Sequence, residues 1–347
     1  MGAHPPYGPG RLSPPSDWRV PPFLDDFSLT TRLRGCDRSW GRRMTRRGWA
    51  LFVALGVIWG IPYLLIKVAV SDLTPTTLVL LRTAEGALLL VPLAAVRGNL
   101  TPLLVHWRAV VVFTLVEVAV PWLLLSNAET RLTSSLTGLL IAAVPLIGAV
   151  LGLIIGADDR LDLRRAAGLL IGFAGVATLL GLDFSVIDPW AVGQLGLVTL
   201  GYAIGPIIIA RRLSGVPALG VVAASLVLTA LIYAPVGLIQ LPHSLPSAQV
   251  LVSVAILGVV CTALAFLVFF ALIAEVGPLR AQAITYVNPA VALALGVALL
   301  GEPFTLGAGV GFLLIVLGLS LATRRRSAGS RVEVQQPPQT VPSDEVA

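Results

Sequence analysis

Three charged residues stand inside stretches that are otherwise apolar: Arg82 and Glu85 in the run 76–96, and Glu117 in the run 109–128. On helices rising about 1.5 Å per residue, Arg82 lies about 9 Å and Glu85 about 14 Å from one end of the first run, and Glu117 about 12 Å from the opposite end of the second. Charges at such depth in hydrocarbon are rare and face a cavity or a partner. The chemistry open to them is proton exchange and recognition of a charged group. Desolvation disfavours an ionised carboxylate, so Glu117, together with Glu85, is expected to take up and release a proton. Arg82 and Glu85, three residues apart on one helical face, could instead satisfy each other as an intrahelical pair. Glu117 has no such neighbour in its own run.

A second group of side chains could line a cavity: Trp59, Tyr63, Trp122, Asn127, Tyr202, Thr262, Gln282, Tyr286 and Asn288. Trp59, Tyr202, Tyr286 and Asn288 are the strongest candidates for contact with a solute. Tyr202 precedes Pro206, and Tyr286 and Asn288 flank Pro289, where a freed carbonyl makes a helix segment a plausible site wall. Trp122 and Asn127 read equally well as interfacial belt residues, and Trp49 and Trp190 read best that way. Lys67, the only lysine of the chain, ends an apolar run about 5 Å from its edge and could snorkel to the interface.

The elements that must position these residues follow from composition. The 347 residues are 56% hydrophobic and 12% charged, with mean hydropathy +0.90, against about 25% charged in soluble domains. Ten apolar runs, at about 49–70, 76–96, 109–128, 134–156, 166–182, 190–210, 218–241, 250–274, 279–300 and 306–323, each approach the roughly 20 residues needed to cross a bilayer. The fold class is therefore an all-α integral membrane protein with ten spans. Residues 1–47, rich in Pro, Gly, Asp and Arg, and residues 324–347 read as disordered tails. Met44 is an alternative start, because the chain's only other methionine is Met1.

The net charge of +6 does not point to nucleic acid, since the arginines lie in short connections between apolar runs. With a cytoplasmic N-terminus, Arg97, Arg108, Arg160, Arg164, Arg165, Arg211, Arg212, Arg280 and the Arg324–Arg326 cluster fall inside with those before Trp49. Arg131 alone falls outside. Both termini are thus expected in the cytoplasm, the membrane being the cytoplasmic one. Cys36 and Cys261 offer no disulfide framework, and the histidines lie outside the apolar runs, so no metal or other cofactor is expected.

The two halves repeat each other. Pro62 and Lys67 meet Pro206 and Arg211 at an offset of 144, and Pro145 meets Pro289 at the same offset. Gly168 and Gly175 meet Gly311 and Gly318 at 143. Five spans per half is an odd number, so the second copy enters the membrane from the other side. The expected units are 48–182 and 183–323, an inverted repeat of the kind that carriers use to alternate access around a midplane site. The glycines of 168–181 and 307–318 suit close helix packing. Arg82, Glu85 and Glu117 have no charged counterpart in the second half, so they stand apart from the shared scaffold.

Trp59-Gly60 and Lys67, Pro75 followed by Arg82, Pro145, and the run Ala281…Asn288-Pro289…Gly301-Glu302-Pro303-Phe304-Thr305 leading to Gly311 and Gly318 together resemble the drug/metabolite transporter superfamily, EamA type. Asp158-Asp159 stands where Gly301-Glu302 stands in the second half. The resemblance spans about residues 48–323. It implies a secondary carrier of small organic solutes, such as an exporter of amino acids, metabolites or drugs, whose partners are solute and membrane lipid. A homodimer is left open. The chain has no Gly-x-x-x-x-Gly-Lys stretch, so an ion or solute gradient is the expected drive. The alternatives are a membrane-embedded enzyme acting on lipid or prenyl substrates, for which Asp158, Asp159 and Asp162 are the nearest constellation, and an uncoupled flippase or channel.

Overall fold

The computed structural model describes residues 44–155, 163–181, 188–277 and 281–323. The tails, Asp158-Asp159, Asp162 and Arg280 lie outside the described residues. Ten helices follow in order: α1 Arg46–Ala69, α2 Pro75–Val96, α3 Trp107–Ala128, α4 Ser134–Ile154, α5 Leu163–Leu180, α6 Pro189–Arg212, α7 Ala218–Ile239, α8 Ala248–Val276, α9 Ala283–Leu300 and α10 Leu306–Thr323. Eight are long and apolar enough to cross a membrane, and the apolar cores of α5 and α10 are shorter. These ten transmembrane helices form two inverted five-helix repeats. Ten crossings return the chain to the side on which it began, so Arg46 and Thr323 mark one end of the bundle, here the termini end.

The repeat is visible in the packing. Helix α5 lies along α10, α2 along α7, and α4 against α9. Each of these is a helix meeting its own counterpart, as a two-fold relation between the halves requires. Several other contacts come in matched pairs. Helix α1 packs on α8 and α9, as α6 packs on α3 and α4; α2 meets α8, as α7 meets α3. The α5–α10 contact is backbone on backbone. A Cβ added at Gly168 would lie 2.6 Å from both Gly318 O and Ala322 N, so the matched glycines set the spacing of these helices in lipid.

Three helices are broken locally, two of them, α4 and α9, at matching places, while α6 runs unbroken through Pro206. Helix α1 is interrupted at Ile61, ahead of Pro62. Helix α4 is broken at Ala142–Ala143, ahead of Pro145, and α9 opens with a 3₁₀ turn, Gln282–Tyr286, ahead of Pro289. Proline cannot donate into the preceding turn, so each break falls just before it. Helices α3 and α8 each widen into a π-helical turn, at Thr114–Ala119 and Ile256–Leu264. Wide turns of this kind are frequent at functional sites.

Candidate functional site

Arg82 is 7% exposed, and its guanidinium lies 3.8 Å from the centroid of the Trp122 ring on α3. A desolvated cation over an indole gains about 2 kcal/mol. Its Nε donates to Thr262 Oγ1 at 3.0 Å, and the Thr262 hydroxyl donates in turn to Leu257 O at 2.8 Å, five residues back across the π turn of α8. The wide turn thus supplies the threonine that holds the arginine. No carboxylate pairs with Arg82 among the described residues. The intrahelical pair with Glu85, open from the sequence, does not form; the guanidinium turns toward Trp122 while Glu85 turns toward α8.

Glu117 sits on the π turn of α3 and faces α6. A Cβ at Gly205 would strike its carboxylate, and one at Gly201 would strike the carbonyl oxygen of Val116. Glycine at these positions gives α6 the groove into which α3 lowers its acid. Glu117 Oε2 is buried without a hydrogen-bond partner. Tyr202, on α6 between the two glycines, is close enough to feel the charges of both Glu117 and Arg82. The arrangement on the other side is similar. A Cβ at Gly258, in the π turn of α8, would strike the carboxylate of Glu85, whose Oε2 is also buried and unpartnered. Glu85 and Glu117 of the first half therefore each rest on a glycine of the second.

Of the sequence candidates, the structure brings Arg82, Glu117 and Tyr202 together, with Tyr63 and Cys261 also within electrostatic reach of Arg82. Asn288 and Tyr286 sit at the break of α9, and Asn288 Oδ1 is buried without a partner. Trp59 lies in an aromatic cluster, its ring 4.9 Å from Phe269 and 6.0 Å from Phe266 on α8. Trp49 and Trp190 are exposed at the bundle ends, as belt residues are. Trp122 is instead 8% exposed and part of the site. Lys67 reaches the end of the α3 span. Its Nζ donates to Glu129 O at 2.6 Å and Leu132 O at 2.7 Å, closing the end of α3. Among the described residues no group of three or more His, Cys, Asp or Glu is poised to hold a metal.

The site combines a cation, two unpartnered acids and aromatic rings between two inverted halves. Comparison with known proteins gives the family. The family model described as the EamA-like transporter family matches residues 46–181 and again 190–324. The Bacillus subtilis (strain 168) protein named uncharacterized transporter YvbV is 26% identical over 286 residues, spanning 80% of this chain and 92% of its own. The Escherichia coli (strain K12) protein named uncharacterized inner membrane transporter YedA is 27% identical over 279 residues, 79% of this chain and 89% of its own. A crystal structure 20% identical in sequence superposes with a TM-score of 0.57, over 80% of this chain and 96% of that one. The two matched segments cover nearly all of the ten helices, and the chain belongs to the EamA-like transporter family.

Proposed function

We propose that this membrane transporter is a secondary carrier that moves a small organic solute by alternating access, driven by a proton gradient or by exchange against a second solute. The leading solute class is an amino acid or a related charged metabolite or drug, moved outward. In this reading Arg82 receives an anionic group and Glu117, across Tyr202, receives either an ammonium group or a proton. The observation that carries it is the pairing of a buried arginine without a carboxylate with a buried carboxylate without a donor. Such groups are costly unless a ligand completes them during the cycle. The breaks of α4 and α9, with Asn288 at one of them, resemble the discontinuous helices that wall carrier sites. The repeat units are taken as 48–182 and 183–323, with both termini cytoplasmic. Lipid surrounds the bundle, and a homodimer is left open.

A thermal-shift screen of purified protein against amino acids, sugars and cationic drugs identifies a solute, and counterflow of that solute in proteoliposomes tests the mechanism. A carrier gives saturable exchange, a channel gives none, and an enzyme gives product. Glu117→Gln is expected to retain exchange while losing accumulation driven by a proton gradient. Full gradient-driven transport by Glu117→Gln would remove the coupling role.

A further inference from the structure

The far end of the bundle, opposite the termini, holds a further buried acid that the solute site does not use. Glu129 follows the last residue of α3, is 0% exposed, and has neither carboxylate oxygen hydrogen-bonded. Two of its charged neighbours lie at this end of the bundle, and each is already held by a helix terminus. The Lys67 ammonium is held by the carbonyls of Glu129 and Leu132, at 2.6 and 2.7 Å, at the negative end of the α3 dipole. The Glu302 carboxylate accepts from Ser134 N at 2.7 Å and Ser135 N at 2.9 Å, at the positive end of α4. Glu302 reaches there because Gly301 takes φ +66° at the end of α9 and turns the chain back across the halves.

The titratable and charged groups facing Glu129 are therefore Lys67 from α1, Arg82 from α2, Glu302 from the α9–α10 turn and Tyr63 from α1. Arg82 is committed to Trp122 and Thr262, and Glu302 repels rather than neutralises. Lys67 and Glu302 are each satisfied by a helix terminus, and none of these four groups gives the Glu129 carboxylate a hydrogen bond. An ionised, fully buried carboxylate without a donor is an arrangement that proteins avoid.

We propose that Glu129 is a proton site distinct from Glu117, occupied when the far end of the bundle is closed and emptied to solvent when that end opens. The proton comes from and returns to bulk water, converting the carboxylate to the neutral acid and back. Closing the far end withdraws the carboxylate from water and so requires the proton. Acidic conditions on that side then favour closure, and opening delivers a proton there. The inference takes its purpose from the carrier reading, but its test needs no solute, so the two fail separately.

The probe is a maleimide added to detergent-purified full-length protein, in a background with Cys36→Ser and Cys261→Ser. Leu132→Cys reports on the far end, since Leu132 is buried there. Its labelling rate is divided at each pH by that of Thr130→Cys, an exposed position, which removes the pH dependence of the thiol itself. The ratio should rise about tenfold or more between pH 5 and pH 8.5 with Glu129 present, stay at its low value throughout in Glu129→Gln, and keep its rise in Glu117→Gln. Glu129→Asp retains a carboxyl group and should shift the midpoint, which serves if the glutamine variant does not fold. A flat ratio in the parent, an unaltered rise in Glu129→Gln, or an unshifted midpoint in Glu129→Asp overturns the proposal. A ratio that answers to sodium at fixed pH instead would assign the same oxygens to a metal cation and overturn it equally.

Discussion

The guanidinium of Arg82 lies 3.8 Å from the centre of the Trp122 ring, joining the second helix of the bundle to the third. Its Nε is held by Thr262 from the opposite half. A lysine carries the same charge but has neither the plane that stacks on indole nor a donor in the Nε position. Arg82→Lys should therefore lose most transport, about tenfold or more, with a shift in tryptophan emission from Trp122. Transport within a factor of two of the parent would mean that charge alone is needed at this position.

Gly205 and Glu117 are in such close contact that a methyl group cannot be placed between them. Overpacking of this kind typically costs about 1–3 kcal/mol. Gly205→Ala should lower the unfolding temperature and impair transport, and Glu117→Ala should restore most of the lost stability when combined with it. Additivity of the two substitutions in a double-mutant cycle would show that they do not meet.

Glu302 caps α4 from the other repeat, accepting from two backbone N–H groups that the helix cannot itself satisfy. Loss of an N-terminal cap costs about 0.5–2 kcal/mol. Glu302→Ala should destabilise by that order, and Glu302→Gln by less, because the amide keeps one acceptor oxygen. Thr133 also caps this helix through Leu136 N, so Thr133→Ala together with Glu302→Ala should exceed either alone. Equal unfolding temperatures for the alanine and glutamine variants would argue against a capping role.

Two acids outside the spans set an acid limit. The Arg131 guanidinium, 2.6 Å from Asp188, holds the Asp188 carboxyl below its ordinary value of 3.8, with the Ala191 and Trp190 N–H groups adding to it. The Ser247 N–H, 3.0 Å away, does the same for Asp72. A lowered folded-state pKa contributes stability that is present above the unfolded value and lost as pH falls through the folded one. The difference in unfolding temperature between the parent and Asp188→Asn should thus be seen in full at pH 7, begin to shrink as pH falls below the ordinary value of 3.8, and vanish once pH has passed through the lowered folded-state value. Because both groups are exposed, it should also shrink in high salt. A difference that persists at pH 2 would assign the effect to the cap geometry alone.

Much of this architecture can be read from residue spacing. The ten helices follow from apolar runs of span length, and the helix pairing on the two-fold follows from prolines and glycines recurring at offsets of 143 and 144. What stays hidden is rotation about each helix axis. Trp122 and Trp190 look alike near the end of an apolar run, yet one is 8% exposed against Arg82 and the other 66% exposed. Runs that are apolar on every side have no polar face to tell them apart. Glu129, one residue past the end of α3, reads as part of a solvent-facing connection, and only the fold shows that the connection turns inward. Gly205 and Gly258 read as packing positions, since the acids that rest on them lie far away in sequence.

The wide turns of the third and eighth helices appear in both copies, while the acid on one of them, Glu117, has a thiol or hydroxyl, Cys261 or Thr262, in its place on the other. Backbone irregularity is thus common property of the duplicated unit, and the acids Glu85 and Glu117 are private to one copy. A duplicated chain that keeps its distortions but divides its charges in this way has two halves alike in backbone and unlike in charge, so the symmetry of the frame is broken at the level of its side chains.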